Sequence, residues 1–497
     1  MRCKVRHRLL NCVRYHCTIY RSIKGKYCMK RIAAALSALA LSITAVTTQA
    51  DSLLDIYELA LENDAQLKAE KAQYLAAREV ENLERSRLLP QLSAGYSYRD
   101  SDTDSESKSR DFNLPGLPLI NTTSNTDIET DGYSVSLNQP LFDLPAWFSF
   151  QSGQELSKQA EANFAANQQN LIVRVVEAYL LVLRAKDNLA ASQAQERAFE
   201  RQLEQTQQRF EVGLIAITDV YEAQAARDLA QVNRIVDENN VSVALERLSV
   251  LTGQSHSNLQ VLKDDFSILP PDPIDRAAWV DFSLENNFRL QAARYGEEAA
   301  RQTAKANKME HAPKIVAGYE YSDFSTSGSR DVTPDTGFIT PPDNDQEDQT
   351  WQISLNLPLY SGGAISANRR RAAEEFNAAR ENRINLVRNT VTDTRSLHMT
   401  VVSDVSRIAA RKQSIISSRS SLDATQAGYE VGTRNVVDVL NAQNTLFAAE
   451  RDYANSRYDY IINLMRLKQL AGLLSPEDVI TLNAAMIPPK APTAATP

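Results

Sequence analysis

Four segments of the chain alternate large apolar and small polar residues with a period of two. Leu92, Ala94, Tyr96 and Tyr98 interleave with Ser93, Gly95 and Ser97, and Tyr133-Ser134-Val135-Ser136-Leu137 follows the same rule. The pattern returns as Ile315 to Tyr321 and as Trp351 to Leu357. Such alternation predicts strands with one greasy face and one polar face. The stretches between the strands of each pair, Arg99 to Asp131 and Ser322 to Thr350, are rich in Ser, Asp, Gly and Pro and read as long polar loops.

After each strand pair the period changes. Pro140 and Pro358, in Gln139-Pro140-Leu141-Phe142 and Leu357-Pro358-Leu359-Tyr360, mark matched exits from strand pairing. From about Asp143 to Val212, and again from about Gly363 to Val431, Gly and Pro are almost absent while Ala, Gln, Glu and Arg abound. Each stretch predicts one helix of roughly 65 residues, about 100 Å long at 1.5 Å per residue. Phe164, Leu171, Val175, Tyr179, Val182, Leu189, Phe199, Leu203 and Phe210 recur at spacings of three, four and their sums, as in a coiled-coil seam. Shorter helices return to Gly253 and Gly472, and third helical segments, about Ala65 to Arg87 and about Arg289 to Met309, supply the remaining length.

These elements occur twice. Phe210-Glu211-Val212-Gly213-Leu214 leading into Thr218-Asp219-Val220 recurs 219 residues later as Tyr429-Glu430-Val431-Gly432-Thr433-Arg434 leading into Val437-Asp438-Val439. The chain therefore reads as an internal duplication, with repeats at 51–270 and 271–474, preceded by an extension at 1–50 and followed by a disordered tail at 475–497.

Alternating strands fit a half-buried sheet on a soluble core as well as a membrane barrel. Two features favour the barrel. Tyr96, Tyr98, Tyr133 and Trp351 lie at strand ends, as an interfacial belt requires, and no helical segment has an apolar face shaped to cover a sheet. Four strands cannot close, since bacterial barrels begin at about eight. Two copies would give eight strands with a filled interior, whereas three give twelve with an open lumen, and cyclic symmetry favours the homotrimer.

Composition narrows the setting. All four cysteines precede Met29, and Lys30-Arg31, an apolar run from Ile32 to Val46 and Thr48-Gln49-Ala50 form a secretory signal peptide, with Asp51 as the expected mature start. The eight basic residues before Met29 are unusual in a signal peptide, so translation is expected to begin at Met29. Removing the ten basic and no acidic residues of 1–50 leaves 44 basic against 62 acidic residues, a net charge of −18, which argues against a nucleic-acid partner. No apolar run approaches the ~18 residues of a membrane helix, so a membrane span must be a barrel.

Thr206, Phe210 to Leu214, Ala216 to Val220, Ser421 to Ala424, Gly428 to Arg434 and Val436 to Leu440 carry a resemblance to the TolC-like family of outer-membrane efflux and secretion channels, extending from about Asp51 to Leu482. The resemblance implies an α+β membrane protein: a trimeric twelve-stranded outer-membrane β-barrel continuous with a long periplasmic α-helical coiled-coil barrel. It implies an exit duct for drugs or proteins, docked by a periplasmic adaptor protein to an inner-membrane pump of the drug-efflux or ABC-type secretion class and opened by an iris-like movement of its periplasmic helices. Without a mature cysteine, the lipid anchor of some members is not expected. Carried over residue by residue, the gate network is Arg434 with Thr218 and Asp219, and Tyr429 with Asp219, while Asp438 lines the lumen constriction. A second acidic residue three positions on, present in the family's best-known member, is here Asn441, which implies weaker block by multivalent cations.

A plainer role exists for several of these residues. Asp219 and Asp438 fall in helix first turns, where the dipole favours any carboxylate, and Gly213 and Gly432 are ordinary helix-ending glycines. No enzymatic constellation emerges: His256, His311 and His398 are scattered without metal-ligand spacing, and no phosphate loop is present, so no cofactor or metal is expected. Asp100 to Asp104 resembles the start of a calcium loop, but Ser105 and Asp111 stand where Gly and Glu belong, so it reads as a solvated acidic loop. The competing function is a structural coiled-coil envelope protein without transport activity, which leaves the duplicated strands unexplained.

Overall fold

A computed structural model describes residues 50–109, 120–333 and 342–489. The signal-peptide expectation and the acidic position Asp111 lie outside these residues. Helices α1 (Leu53–Asn63) and α2 (Ala65–Ser86) lead into strands β1 (Gln91–Ser109) and β2 (Ile120–Phe142). The long helix α3 (Leu144–Glu211) follows, then the returning helix α4 (Ile217–Thr252) and a short strand β3 (Val261–Leu262). The second repeat runs α5 (Arg276–Asn286), α6 (Phe288–Lys308), β4 (Lys314–Thr333), β5 (Asn344–Asn356), α7 (Ala364–Glu430) and α8 (Val436–Leu470). Helix α9 (Pro476–Asn483) and strand β6 (Met486–Ile487) close the chain.

The long strands form one antiparallel sheet, ordered β1-β2-β4-β5, with both outer strands unpaired on their free edges among the described residues. The register pairs Leu92 with Leu137, Ala94 with Val135, Tyr96 with Tyr133, Leu137 with Tyr319, Val135 with Tyr321 and Tyr319 with Trp351. Cross-strand partners share a face, so the alternating apolar residues of the four segments fall on one side. Leu92, Tyr96, Trp351, Ile353 and Leu355 are all more than 60% exposed there. The opposite face pairs Ser93 with Ser136, whose hydroxyls lie 2.7 Å apart, and Glu320 with Thr350.

The expected loops are largely strand. The apolar face runs from Leu92 to Tyr98, about 20 Å at 3.3 Å per residue. Beyond Tyr98 the same face continues as Asp100, Asp102, Asp104 and Glu106, with pairing maintained to Ser109. Composition misled here: Ser, Thr and Asp in period-two positions pair well enough where the strand leaves an apolar surround, so the ladder outlasts the greasy band. Asp100–Asp104 is accordingly strand, not loop.

Both long helices fall within a residue or two of expectation. At 68 residues α3 is about 100 Å long. Its neighbours change along its length: α2 and α6 flank its upper half, α4 and α8 its lower half, and α7 packs on α6 and α8. Where the halves meet, residues 171–185 are buried on nearly every side, because α1, α9 and the β3–β6 pair wrap this waist. The tail expected to be disordered from 475 is therefore corrected: Ser475 starts α9 with a capping box, Val479, Leu482 and Met486 are buried, and β6 pairs with β3. Residues 490–497 lie outside the description. No helix among the described residues is long and apolar enough to cross a membrane.

Candidate functional site: the helical hairpin tips

Each long helix ends in the same turn. Gly213 and Gly432 adopt left-handed φ values of 77° and 79°, where a side chain would be strained. Leu214 N–H donates to Arg209 C=O (2.9 Å) and Thr433 N–H to Gly428 C=O (2.9 Å), closing equivalent C-terminal loops. The returning helices then begin differently. Asn435 caps α8: its side-chain oxygen accepts from Asp438 N–H (2.8 Å), and the Asp438 carboxylate accepts from Asn435 N–H (3.4 Å), completing a capping box. The equivalent residue of α4 is Ala216, which offers no side-chain cap.

The tips of the two hairpins meet in a small apolar cluster separate from the waist. Phe199 and Ala230 of the first repeat pack with Tyr429, Val436, Val439 and Leu440 of the second. Gln195 Nε2 donates to Asn444 Oδ1 across the same junction. Tyr429 is 5% exposed, its ring lies 4.6 Å from the Arg209 guanidinium, and its hydroxyl is buried without a hydrogen-bond partner.

Within one chain the expected polar network is not assembled. Among the described residues no hydrogen bond or ion pair joins Arg434 or Tyr429 to Thr218 or Asp219. Thr218 is exposed and Asp219 half-buried in the first turn of α4. Arg434 Nη1 lies 3.8 Å from Asp438 Oδ2, an exposed pair one turn apart. Asp438 is thus both a capping residue and a surface carboxylate, and Asn441 is exposed one turn further on. Sequence reasoning missed Arg209 and the Phe199 cluster, which depend on contacts between repeats. The Asn435 cap was legible as an Asn-x-x-Asp start.

The waist is held by different means. Arg466 pairs with Glu177 and Arg184 with Asp459, while Tyr458 donates to Asp187 (2.6 Å), all between α3 and α8. Burial raises the Asp187 carboxyl above its usual range, and the Tyr458 hydrogen bond opposes that shift. His256 is buried, with Nδ1 2.8 Å from Asp51 and Nε2 2.8 Å from Thr252, and ties Asp51 to the end of α4.

The model of the outer membrane efflux protein family matches residues 56–254 and 279–473. The outer membrane protein TolC of Vibrio cholerae serotype O1 is 34% identical over 464 residues, covering 92% of this chain and 99% of that protein. The alkaline protease secretion protein AprF of Pseudomonas aeruginosa is 30% identical over 448 residues, 88% of each. Among solved structures, CusC matches with a TM-score of 0.68 at 16% identity, covering 85% of this chain and 92% of that one. The Vibrio cholerae outer membrane protein VceC matches with a TM-score of 0.66 at 16% identity, covering 84% and 96%.

Proposed function

The chain belongs to the outer membrane efflux protein family, and from that premise we infer that it is an outer-membrane exit duct for efflux and type I secretion, with its helical part in the periplasm. One observation carries the reading: a single four-stranded sheet presents an unbroken apolar face about 20 Å tall and two free edges, on top of helices about 100 Å long. An apolar face of that height suits the hydrocarbon band of a membrane barrel. A sheet with free edges cannot sit in lipid, where each unsatisfied backbone group costs several kcal/mol.

Closure by three copies follows. Twelve strands leave an open lumen where eight would nearly fill. The helices support the same assembly, because α4 carries an exposed stripe of Leu229, Val232, Val236, Val243 and Val250 at coiled-coil spacing that is left open among the described residues. In a ring of protomers α4 of one copy faces α7 of the next, since these are the free flanks of the helical layer. The lower ends then converge with Asp438 towards the axis. Asp219, with no capping partner among the described residues, is placed to meet Arg434 of a neighbouring copy, so the gate network is an arrangement between copies. Exposed charge pairs of this kind are worth about 0–1 kcal/mol each, weak enough for a docking adaptor to separate. An adaptor and an inner-membrane pump complete the duct, and the cargo follows from the pump, because a tunnel selects by width and charge.

The test is functional replacement. In a Gram-negative bacterium lacking its own channel of this family, expression of the chain restores drug resistance or secretion of a type I substrate. Failure of both, with the protein assembled in the outer membrane, would favour the structural coiled-coil alternative.

A further inference from the structure

Where the strands give way to helices, the helical layer has two faces of opposite character. In its upper half α3 lies between α2 and α6, and α6 between α3 and α7, so copies that join at the flanks leave both faces of α3 and α6 open. On one side, Ser149 of α3 and Thr303, Asn307 and Glu310 of α6 line a polar cavity of about 510 Å³ that reaches Gln91 and Lys314. Those two pair with Asn138 and Asn356 on the sheet face opposite the apolar one, which a barrel turns to its lumen. Arg301, Lys305 and Lys308 each precede one of the three α6 cavity residues by two positions, about 200° of helix, and so share the outward side. The aromatic start of α3 is there too: Trp147 is exposed, and Lys305 Nζ lies 5.7 Å from the centre of the Phe148 ring. Among the described residues no carboxylate pairs with Lys305 or Lys308, while Arg301 pairs with Glu298 of its own helix (2.6 Å).

We propose that this outward face is a lipid-headgroup collar: Arg301, Lys305 and Lys308 hold the phosphates of anionic glycerophospholipids in the periplasmic leaflet, and Trp147 and Phe148 lie at the headgroup boundary. This rests on the reading of the sheet as a membrane barrel. The collar continues the apolar face directly, since α3 starts two residues after Phe142 and α6 ends six residues before Lys314. Arg301 to Lys308 covers about 10 Å of helix. A headgroup layer is roughly 5–8 Å deep, and long basic side chains reach along the surface to phosphates above them. Charge points the same way, because a mature chain with 44 basic and 62 acidic residues places three basic ones on a single membrane-proximal face. The helix dipole favours Lys305 and Lys308 in the last turn, but it selects no face and does not extend to Arg301, two turns in.

Trp147 is itself the probe. The purified full-length protein is reconstituted in phosphatidylcholine bilayers containing brominated phosphatidylglycerol or brominated phosphatidylcholine, and quenching of Trp147 is read with Trp279→Phe and Trp351→Phe in place. A second chain keeps only Trp351, on the apolar sheet face, as the reference; if Trp279→Phe blocks assembly, the quenching lost on Trp147→Phe or Trp351→Phe in the native chain gives the same two quantities. Phosphatidylglycerol should be preferred at Trp147 by at least about fivefold, the effect of one basic residue at an anionic surface, and not at Trp351. Combining Arg301→Gln, Lys305→Gln and Lys308→Gln should abolish that preference, while Lys305→Arg with Lys308→Arg should keep it. A preference that survives the triple change, or that is equal at Trp147 and Trp351, overturns the collar. Loss of the preference in inorganic phosphate, at an ionic strength matched with chloride, assigns the face to a free anion and also overturns it. Quenching of Trp351 without Trp147 removes the collar and leaves the barrel, whereas no quenching of either removes the barrel reading itself.

Discussion

Between Glu211 and Ile217 in the first repeat, and between Glu430 and Val436 in the second, the chain makes one glycine turn, yet only the second turn starts its returning helix with a side-chain cap. Asp219 and Asp438 hold the same position, third in their helices. Beside Asn435, Asp438 is drawn back onto its own backbone; beside Ala216, Asp219 has nothing local to hold. The duplicated carboxylates thus differ in what holds them because of a neighbour three residues away. A second asymmetry lies deeper: Phe199 fills the cluster between the tips, and the residue 219 positions on is Ser418. The first repeat supplies Phe199 and an uncapped Asp219, the second the Asn435 cap and the buried Tyr429.

The comparison breaks most severely at Phe199. Phe199→Ala should cost about 3–5 kcal/mol of local packing, as for other buried aromatic truncations. Hydrogen exchange should then accelerate at both tips and leave the waist unchanged; equal acceleration at the waist would mean that the tip cluster is not a separate unit. Asn435→Ala removes a cap worth about 1 kcal/mol and should fray the start of α8 without touching α4. In the opposite direction, Ala216→Asn creates a capping box with Asp219 and should stabilise the start of α4 by about 1 kcal/mol. Its informative consequence is a looser gate, because the carboxylate is then held locally; a channel that closes more tightly would refute the idea that Asp219 must be free. The smallest effect belongs to Asn441→Asp, which adds three negative charges per trimer near Asp438 and should strengthen block by multivalent cations, read as a lower blocking concentration for a trivalent ion.

Helix length and position were legible in the sequence because each long helix is a continuous run with almost no Gly or Pro that ends at a glycine turn, and the bounds fell within a residue or two. The strands were underestimated because their outer halves trade apolar residues for Asp, Ser and Thr, which erases the hydropathy signal while leaving the ladder intact. The waist was invisible for another reason. Helices α1, α5 and α9 have 8 to 11 residues each, and they owe their order to packing on the long helices, α1 and α9 on α3 and α5 on α7. At the site, Asp438 and its cap could be read locally, but Arg209 on Tyr429 is a contact between residues 220 apart and leaves no periodic trace.

The central claim is that three copies of this chain enclose one continuous tunnel narrowed at the hairpin tips. The most direct measurement is the single-channel conductance and ion selectivity of the purified protein in a planar bilayer, for wild type and for Asp438→Ala. A small, cation-selective conductance that loses much of its selectivity in the variant is the predicted result. Full selectivity retained without Asp438 would contradict its place at the constriction, and no conductance from an inserted, assembled protein would contradict the tunnel itself.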